Sequence, residues 1–206
     1  MENEKKNIIR RVLALYMKYG IKSVTMDDIA RELALSKKTL YQYFTDKNEL
    51  VSEVFNFAEE YRNECMKDVF GKKMNAIEET LAINMHVAKM MRDFNPAVDY
   101  DLRKYYPEIY EKNRDAIIRN MYQKQLANIK KGIEEGLYRS EVNPDHIARL
   151  FILRIVNFHG VPGFESTDLL KPEFFREIFV YHIRGLASEK GLKVLEKELK
   201  KIENQL

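Results

Sequence analysis

The sequence predicts an all-α chain of about nine to ten helices, and three observations carry that expectation. Apolar residues recur at three- and four-residue spacing through almost all of the 206 residues. Strand-like alternation bounded by turn signals is missing, as is any repeat at a fixed period. The five prolines, at 96, 107, 144, 162 and 172, fall where the helical period breaks. Proline has no N–H and clashes with a helix interior, so it belongs at such boundaries.

Taken in order, the first helix covers about 3–19 and stops at Gly20, a residue free to take the left-handed conformation that ends a helix. Thr25 with Asp28 three residues on makes a capping-box pattern that starts a second helix over 26–33. Ser36 can cap a third over 37–43. Asp46 with Glu49 repeats the box and opens a fourth, about 47–70, broken at Gly71. A fifth runs from about 74 to 93, ahead of Asn95-Pro96. Further helices cover about 97–105, 108–135 (closed by Gly136), 144–159, 173–187 and 189–204. The loop "GVPGFESTDLLKP" separates the eighth from the ninth.

The first three helices are short and marginal alone, so they need a shared core. Ile9, Val12, Leu13 and Tyr16 form one stripe, and Ile29, Leu33, Leu40 and Phe44 face it. Small Ala30 allows a close helix crossing, and Leu35 plugs the turn. The expected unit is therefore a tri-helical domain over 1–47 with a helix-turn-helix at its end. A larger helical domain over 48–206 follows.

Composition narrows the function classes. Hydrophobic residues make up 45% and charged residues 33%, which gives a sizeable core and a well-solvated surface. One cysteine, Cys65, cannot form an intrachain disulfide and fits a reducing cytoplasm. "MENEKKNIIRR" lacks the apolar core of a signal peptide, and no run of 18 apolar residues suggests a membrane span. The net charge is +3, and residues 1–50 hold all of it, with ten Lys/Arg against seven Asp/Glu. That points to a polyanion facing the N-terminal unit.

The outward face of the third helix sharpens this. Lys37 and Lys38 sit in its first turn, where the helix dipole and the side chains both favour phosphate. Thr39, Gln42 and Tyr43 can reach base edges or the backbone, and Tyr41 offers a phenolic donor to a phosphate oxygen. Lys47, opening the fourth helix, would meet flanking phosphates. Exposed tyrosines beside these lysines ask for a partner, which a merely solvated helix does not supply.

The stretch "GIKSVTMDDIARELALSKKTLYQYFTDKNELV" resembles the DNA-binding segment of TetR-family transcriptional regulators. The matching residues are Gly20, Thr25, Ile29, Ala30, Leu33, Ser36, Thr39, Leu40, Tyr41, Tyr43, Phe44, Lys47 and Leu50, within residues 8–51. Ala34 stands where many members carry a turn glycine. The resemblance implies that Thr25, Lys37, Thr39, Tyr41, Tyr43 and Lys47 touch DNA. It also implies a four-helix dimer interface, a small-molecule inducer and repression as the outcome of DNA binding.

One recognition helix reads few base pairs, so such proteins pair two copies on a palindromic operator. "IARLFILRIVNFHG" and "FFREIFVYHIRGLA" are apolar around much of their circumference, more than one core contact needs. Phe151, Ile155, Phe158, Phe175, Phe179 and His182 are the expected homodimer contacts. Arg154 interrupts the first of these helices. It would either pair with Glu177 in the interface or hold an anionic head group.

Methionines and aromatics with a few polar groups suit an adaptable pocket. His86, Met90, Phe94, Tyr105, Tyr106, Tyr110 and Asn157 are the expected lining for an amphipathic or aromatic effector. Its entry between the fifth to eighth helices would shift the fourth and move the recognition helices off their spacing. Catalytic and metal chemistry find no foothold. The four histidines are scattered, one cysteine builds no zinc motif, and neither a phosphate-cradling glycine loop nor a nucleophile elbow occurs. No cofactor and no enzymatic activity are expected. The rival readings are a regulator controlled by a protein partner and an all-helical enzyme carrying a helix-turn-helix.

Overall fold

The computed structural model describes residues 2–70, 73–92, 95–156 and 172–203. Among them are ten helices and no strand: α1 (Glu2–Tyr19), α2 (Met26–Glu32), α3 (Lys37–Tyr43), α4 (Lys47–Phe70), α5 (Ala76–Arg92), α6 (Pro96–Tyr105), α7 (Pro107–Glu134), α8 (Pro144–Val156), α9 (Pro172–Leu186) and α10 (Glu189–Glu203). Four prolines stand as the first residue of a helix. There the missing N–H would have had no intrahelical partner and the fixed φ already suits the helix. The expected end of the eighth helix, at 157–159, and the "GVPGFESTDLLKP" loop up to 171 lie outside the described residues, as does Pro162. No helix among the described residues is long and apolar enough to cross a membrane.

Packing divides the chain into two compact units. One comprises Met1–Cys65 with Asp93–Ile117, the other Met66–Arg92 with Ile118–Leu206. The division therefore falls within α4 and within α7, where the sequence suggested a boundary after 47. The reason lies in the first unit's core. Ile9, Val12, Tyr16, Ile29, Leu33, Leu40 and Phe44 are buried there as expected. They are joined by Leu50, Val51, Val54 and Phe55 of α4 and by Val98 and Leu102 of α6. A three-helix unit ending at 47 would leave those contacts open.

The second unit gathers Ile77, Leu81, Ile129, Leu137, Tyr138, Phe151, Phe179, Ile183 and Leu195. In it α5 packs against both α9 and α10. Gly136, at φ +66°, reverses the chain after α7. Gly132 is needed for another reason: a Cβ there would sit 2.0 Å from the Tyr138 ring. A buried polar cluster is satisfied internally. Asn128 donates to Ala76 O at 2.9 Å and to Glu79 Oε2 at 3.1 Å, while Thr80 and Tyr138 donate to Asn128 Oδ1 at 2.9 and 3.2 Å. Lys131 pairs with Glu79.

Candidate nucleic-acid interface

The site is built on three caps and one turn. Thr25 Oγ1 accepts from Asp28 N–H at 3.1 Å while Asp28 Oδ2 accepts from Thr25 N–H at 3.0 Å, closing the expected capping box of α2. The Thr25 hydroxyl, donating to Asp28 Oδ2 at 2.6 Å, and then the Thr25 N–H hold the Asp28 carboxyl below its usual range. Arg11 of α1 donates to the Glu32 carbonyl at 2.9 Å and so fixes the other end of α2. Ser36 Oγ caps α3 by accepting Thr39 N–H at 3.0 Å. At α4, Asp46 Oδ1 accepts Glu49 N–H at 2.8 Å. Glu49 reaches back to Thr45 N–H at 2.6 Å, one residue earlier than a regular box.

Between α2 and α3 the chain turns through Ala34 at φ +55°. Leu35 N–H reaches Ala30 O at 2.8 Å and Ala34 N–H reaches Arg31 O at 3.1 Å. This is a Schellman turn made without glycine. The alanine keeps the turn that a glycine would make, at the expense of left-handed strain.

With Leu40 and Phe44 fully buried beneath it, α3 has a fixed orientation. Lys37, Lys38, Tyr41 and Gln42 are exposed on its outer face, and Tyr41 is 49% accessible. Thr39 is half-buried and shares a 2.7 Å hydrogen bond with Ser36 Oγ. Tyr43 is half-buried too, its hydroxyl donating to Glu4 Oε2 at 2.7 Å; that bond raises the phenol's pKa. Lys37 pairs with Asp27 at 2.6 Å, and the pair raises the ammonium's pKa. Lys47 is half-buried and donates to the Ile21 carbonyl at 2.7 Å. Burial, with the neighbouring Lys22 charge second, lowers its pKa. Of the eight residues expected on this face, Lys38, Tyr41 and Gln42 stand open. Thr25, Lys37, Thr39, Tyr43 and Lys47 are each engaged by a partner within the unit.

Helix α6 belongs to the same unit as this site. Its Asp101 is buried, and Oδ2 accepts the Lys22 N–H at 2.7 Å. Asn95 donates to Met17 O at 3.1 Å. Gly20, at φ +82°, faces Asp101 and Ala97, and a Cβ on it would lie 3.3 Å from Asp101 Oδ2.

The residues expected to line an effector pocket are divided between the two units. Tyr105 is a surface residue, 40% accessible, with the Lys22 and Lys104 ammonium groups over its ring. Tyr106 and Tyr110 pack against the first unit's core, and burial raises both phenols. His86 is half-buried and Met90 exposed on α5, in the second unit. Phe94 and Asn157 lie outside the described residues. A hollow of about 270 Å³ does occur in the second unit, lined by Glu79, Lys124, Ala127, Asn128 and Lys131. Its wall takes in Glu79 and Asn128 of the buried polar cluster.

Apart from Phe158, the expected dimer contacts lie on α8 and α9. Phe151, Phe179 and His182 are already buried within the chain, where Phe151 meets Phe179 edge-on at 6.0 Å and the His182 ring at 5.1 Å. Gln125 and His182 share a 3.2 Å hydrogen bond. Phe158 lies outside the described residues, and of Ile155 and Phe175 only the helical backbone is described. Among the described residues of α8 and α9, Leu150, Leu153 and Tyr181 are open apolar side chains, at 49%, 56% and 76% accessible. Arg154, on the same helix as Leu150 and Leu153, holds Nε and Nη2 buried with no hydrogen-bond partner among the described residues. Sequence periodicity signalled that these helices are apolar on two faces, but not which face the chain itself would cover.

Comparison with known proteins agrees with this geometry. Residues 8–54 match the family described as bacterial regulatory proteins, tetR family. The chain is similar to two HTH-type transcriptional regulators of Bacillus subtilis. It is 26% identical to YvaF over 71% of this chain and 76% of that one, and 24% identical to YhgD over 69% and 73%. Its fold is similar to that of a TetR transcriptional regulator from Chloroflexus aurantiacus, with TM-score 0.69 and 16% identity over 91% of this chain and 98% of the other. It is likewise similar to a transcriptional regulator from Saccharomonospora viridis solved in complex with choline, with TM-score 0.66 and 19% identity over 92% and 100%.

Proposed function

We propose that this chain, a DNA-binding transcriptional regulator of the TetR family, binds a palindromic operator as a homodimer, represses from it and is released by a small molecule. The observation that carries the DNA contact is the α3 outer face. Lys37, Lys38, Tyr41 and Gln42 are exposed on a helix whose other side is locked by Leu40 and Phe44. A rigid helix with cationic and planar polar groups outward suits a major groove. Thr25, Thr39, Tyr43 and Lys47 would exchange their present partners for phosphates or base edges. The chain would do this in the cytoplasm.

Two copies would set their recognition helices about 34–36 Å apart, one turn of the duplex. Leu150, Leu153 and Tyr181 support pairing through α8 and α9, because apolar side chains this exposed gain by burial. Arg154, with two buried nitrogens unpartnered among the described residues, would be satisfied by Glu177 of the second copy.

Release would act through α6. The Asp101 bond and the Gly20 contact join α6 to the turn that carries α2, so a shift of α6 tilts the reading helices. An effector that moves α6 weakens DNA binding, and by linkage DNA weakens the effector's binding by the same factor. A small organic molecule bound to the Saccharomonospora viridis regulator of this fold supports such an effector. A second reading, control by a protein partner, is favoured by Met85 and Met90, 50% and 40% accessible on α5.

The deciding experiment is selection of duplexes from a randomised library by the full-length chain, followed by footprinting. A palindromic footprint lost on Tyr41→Ala and Lys38→Ala supports the reading. Failure to enrich any duplex, or variants that bind like the parent, would remove it.

A further inference from the structure

We propose that the DNA contact continues from the helix-turn-helix onto α6, along a lysine–tyrosine strip of Lys47, Lys22, Tyr105 and Lys104 that takes phosphates flanking the half-site. This rests on the DNA-binding reading above and extends the contacting surface to a helix that reads no bases.

The strip is continuous. Lys22 Nζ lies 4.5 Å from the Tyr105 ring centroid and Lys104 Nζ lies 5.4 Å from the same centroid. Lys104 also donates to the Tyr100 hydroxyl at 2.8 Å. Lys47 is anchored on the carbonyl of Ile21, the residue before Lys22. Burial lowers the Lys47 pKa, and the nearby Lys22 charge adds to that. Three ammonium groups are thus held along one edge by ring and backbone contacts. Asp28 and Asp101 offset them only in part, since Asp101 is buried and committed to the Lys22 N–H, and Asp28 to the α2 cap.

Lysines that serve only solubility need no such fixing and repel one another when gathered. A polyanion reverses that repulsion and gains the release of its own counterions. The direction is also set. In helix-turn-helix proteins the helix before the recognition helix crosses the sugar–phosphate backbone. Lys22 lies three residues before Thr25, the cap of that helix, so the strip begins at the expected phosphate track and leads away from α3. Tyr100 and Tyr105, 54% and 40% accessible, add hydroxyls for phosphate oxygens along the same edge.

The test uses the full-length chain and a duplex recovered by the selection above, once with 10 bp of constant sequence on each side and once trimmed. Lys22→Gln/Lys104→Gln should bind the flanked duplex on the order of 10-fold to 100-fold more weakly at 0.1 M salt. The salt slope should fall by about 0.9 for each lysine lost per half-site. The trimmed duplex should bind parent and variant alike. Lys104→Arg should keep the parent's slope, and Lys193→Gln on α10 serves as the control. Equal affinity and slope for parent and double variant on the flanked duplex would overturn the strip while leaving the helix-turn-helix contact standing. Failure to recover any duplex would overturn both.

Discussion

Asp101 Oδ2 accepts the backbone N–H of Lys22 at 2.7 Å, 79 residues away in sequence, and the carboxylate is buried. Asp101→Ala leaves that N–H without its acceptor, at a cost of about 1–3 kcal/mol. For a chain of this size the melting temperature should fall by about 2–4 °C per kcal/mol. Asp101→Asn keeps an acceptor oxygen and should lose less. Thermal melts followed by circular dichroism distinguish the two. Equal losses would mean that charge, not the hydrogen bond, holds α6 in place.

The Lys37–Asp27 pair, 2.6 Å apart, sits on the exposed face proposed to meet DNA. Asp27→Asn frees the ammonium and removes an anion that phosphates would meet. Affinity for a selected duplex should rise about 2-fold to 10-fold at low salt, with the gain fading as salt screens it. Stability should hardly move, because exposed pairs contribute little. Anisotropy titrations at two salt concentrations measure this, and a loss of affinity would exclude Lys37 as a phosphate contact.

Ala34 holds φ +55° in the turn before α3. A left-handed alanine costs about 1–2 kcal/mol, part of which glycine returns through its greater freedom when unfolded. Ala34→Gly should therefore raise the melting temperature by about 2–4 °C. Gly20→Ala, at φ +82° with Asp101 Oδ2 3.3 Å from the new Cβ, should lower it. A drop on Ala34→Gly would contradict the turn geometry.

His182 is buried, and desolvation, with the Arg154 charge second, pushes its pKa down to about 4. An unfolded chain binds a proton on this residue near pH 6.5, whereas the folded chain stays neutral until about pH 4. Protons therefore favour unfolding across that window. The stabilisation is complete above about pH 6.5 and up to about 3 kcal/mol is lost as the pH falls toward 4. Gln125 and Phe151 also face the ring. His182→Gln should be less stable at neutral pH but show a flatter acid limb in urea titrations between pH 7 and 4.5.

Leu153 is exposed on α8, whereas Phe179 on α9 is buried inside the chain. Leu153→Glu should give a folded monomer in sedimentation, with its circular dichroism unchanged. Phe179→Glu should instead unfold the second unit, because an unpaired carboxylate cannot be buried cheaply. A Leu153→Glu chain that remains dimeric would move the interface elsewhere.

Local chemistry made much of this molecule legible in its sequence. Prolines 96, 107, 144 and 172 started helices, and Gly20 and Gly136 ended them. Thr25 and Ser36 capped α2 and α3, and the burial of Leu40 and Phe44 fixed which face of α3 turns outward. These features act within one or two helical turns, so periodicity and spacing carry them. Tertiary structure alone decided which groups distant in sequence meet. It brought Asp101 to Lys22, set Lys104 and Lys22 over one tyrosine ring, and turned Phe151 and Phe179 inward while leaving Leu153 and Tyr181 open. A helix apolar on two faces has two ways to pack, and only the surrounding helices select between them.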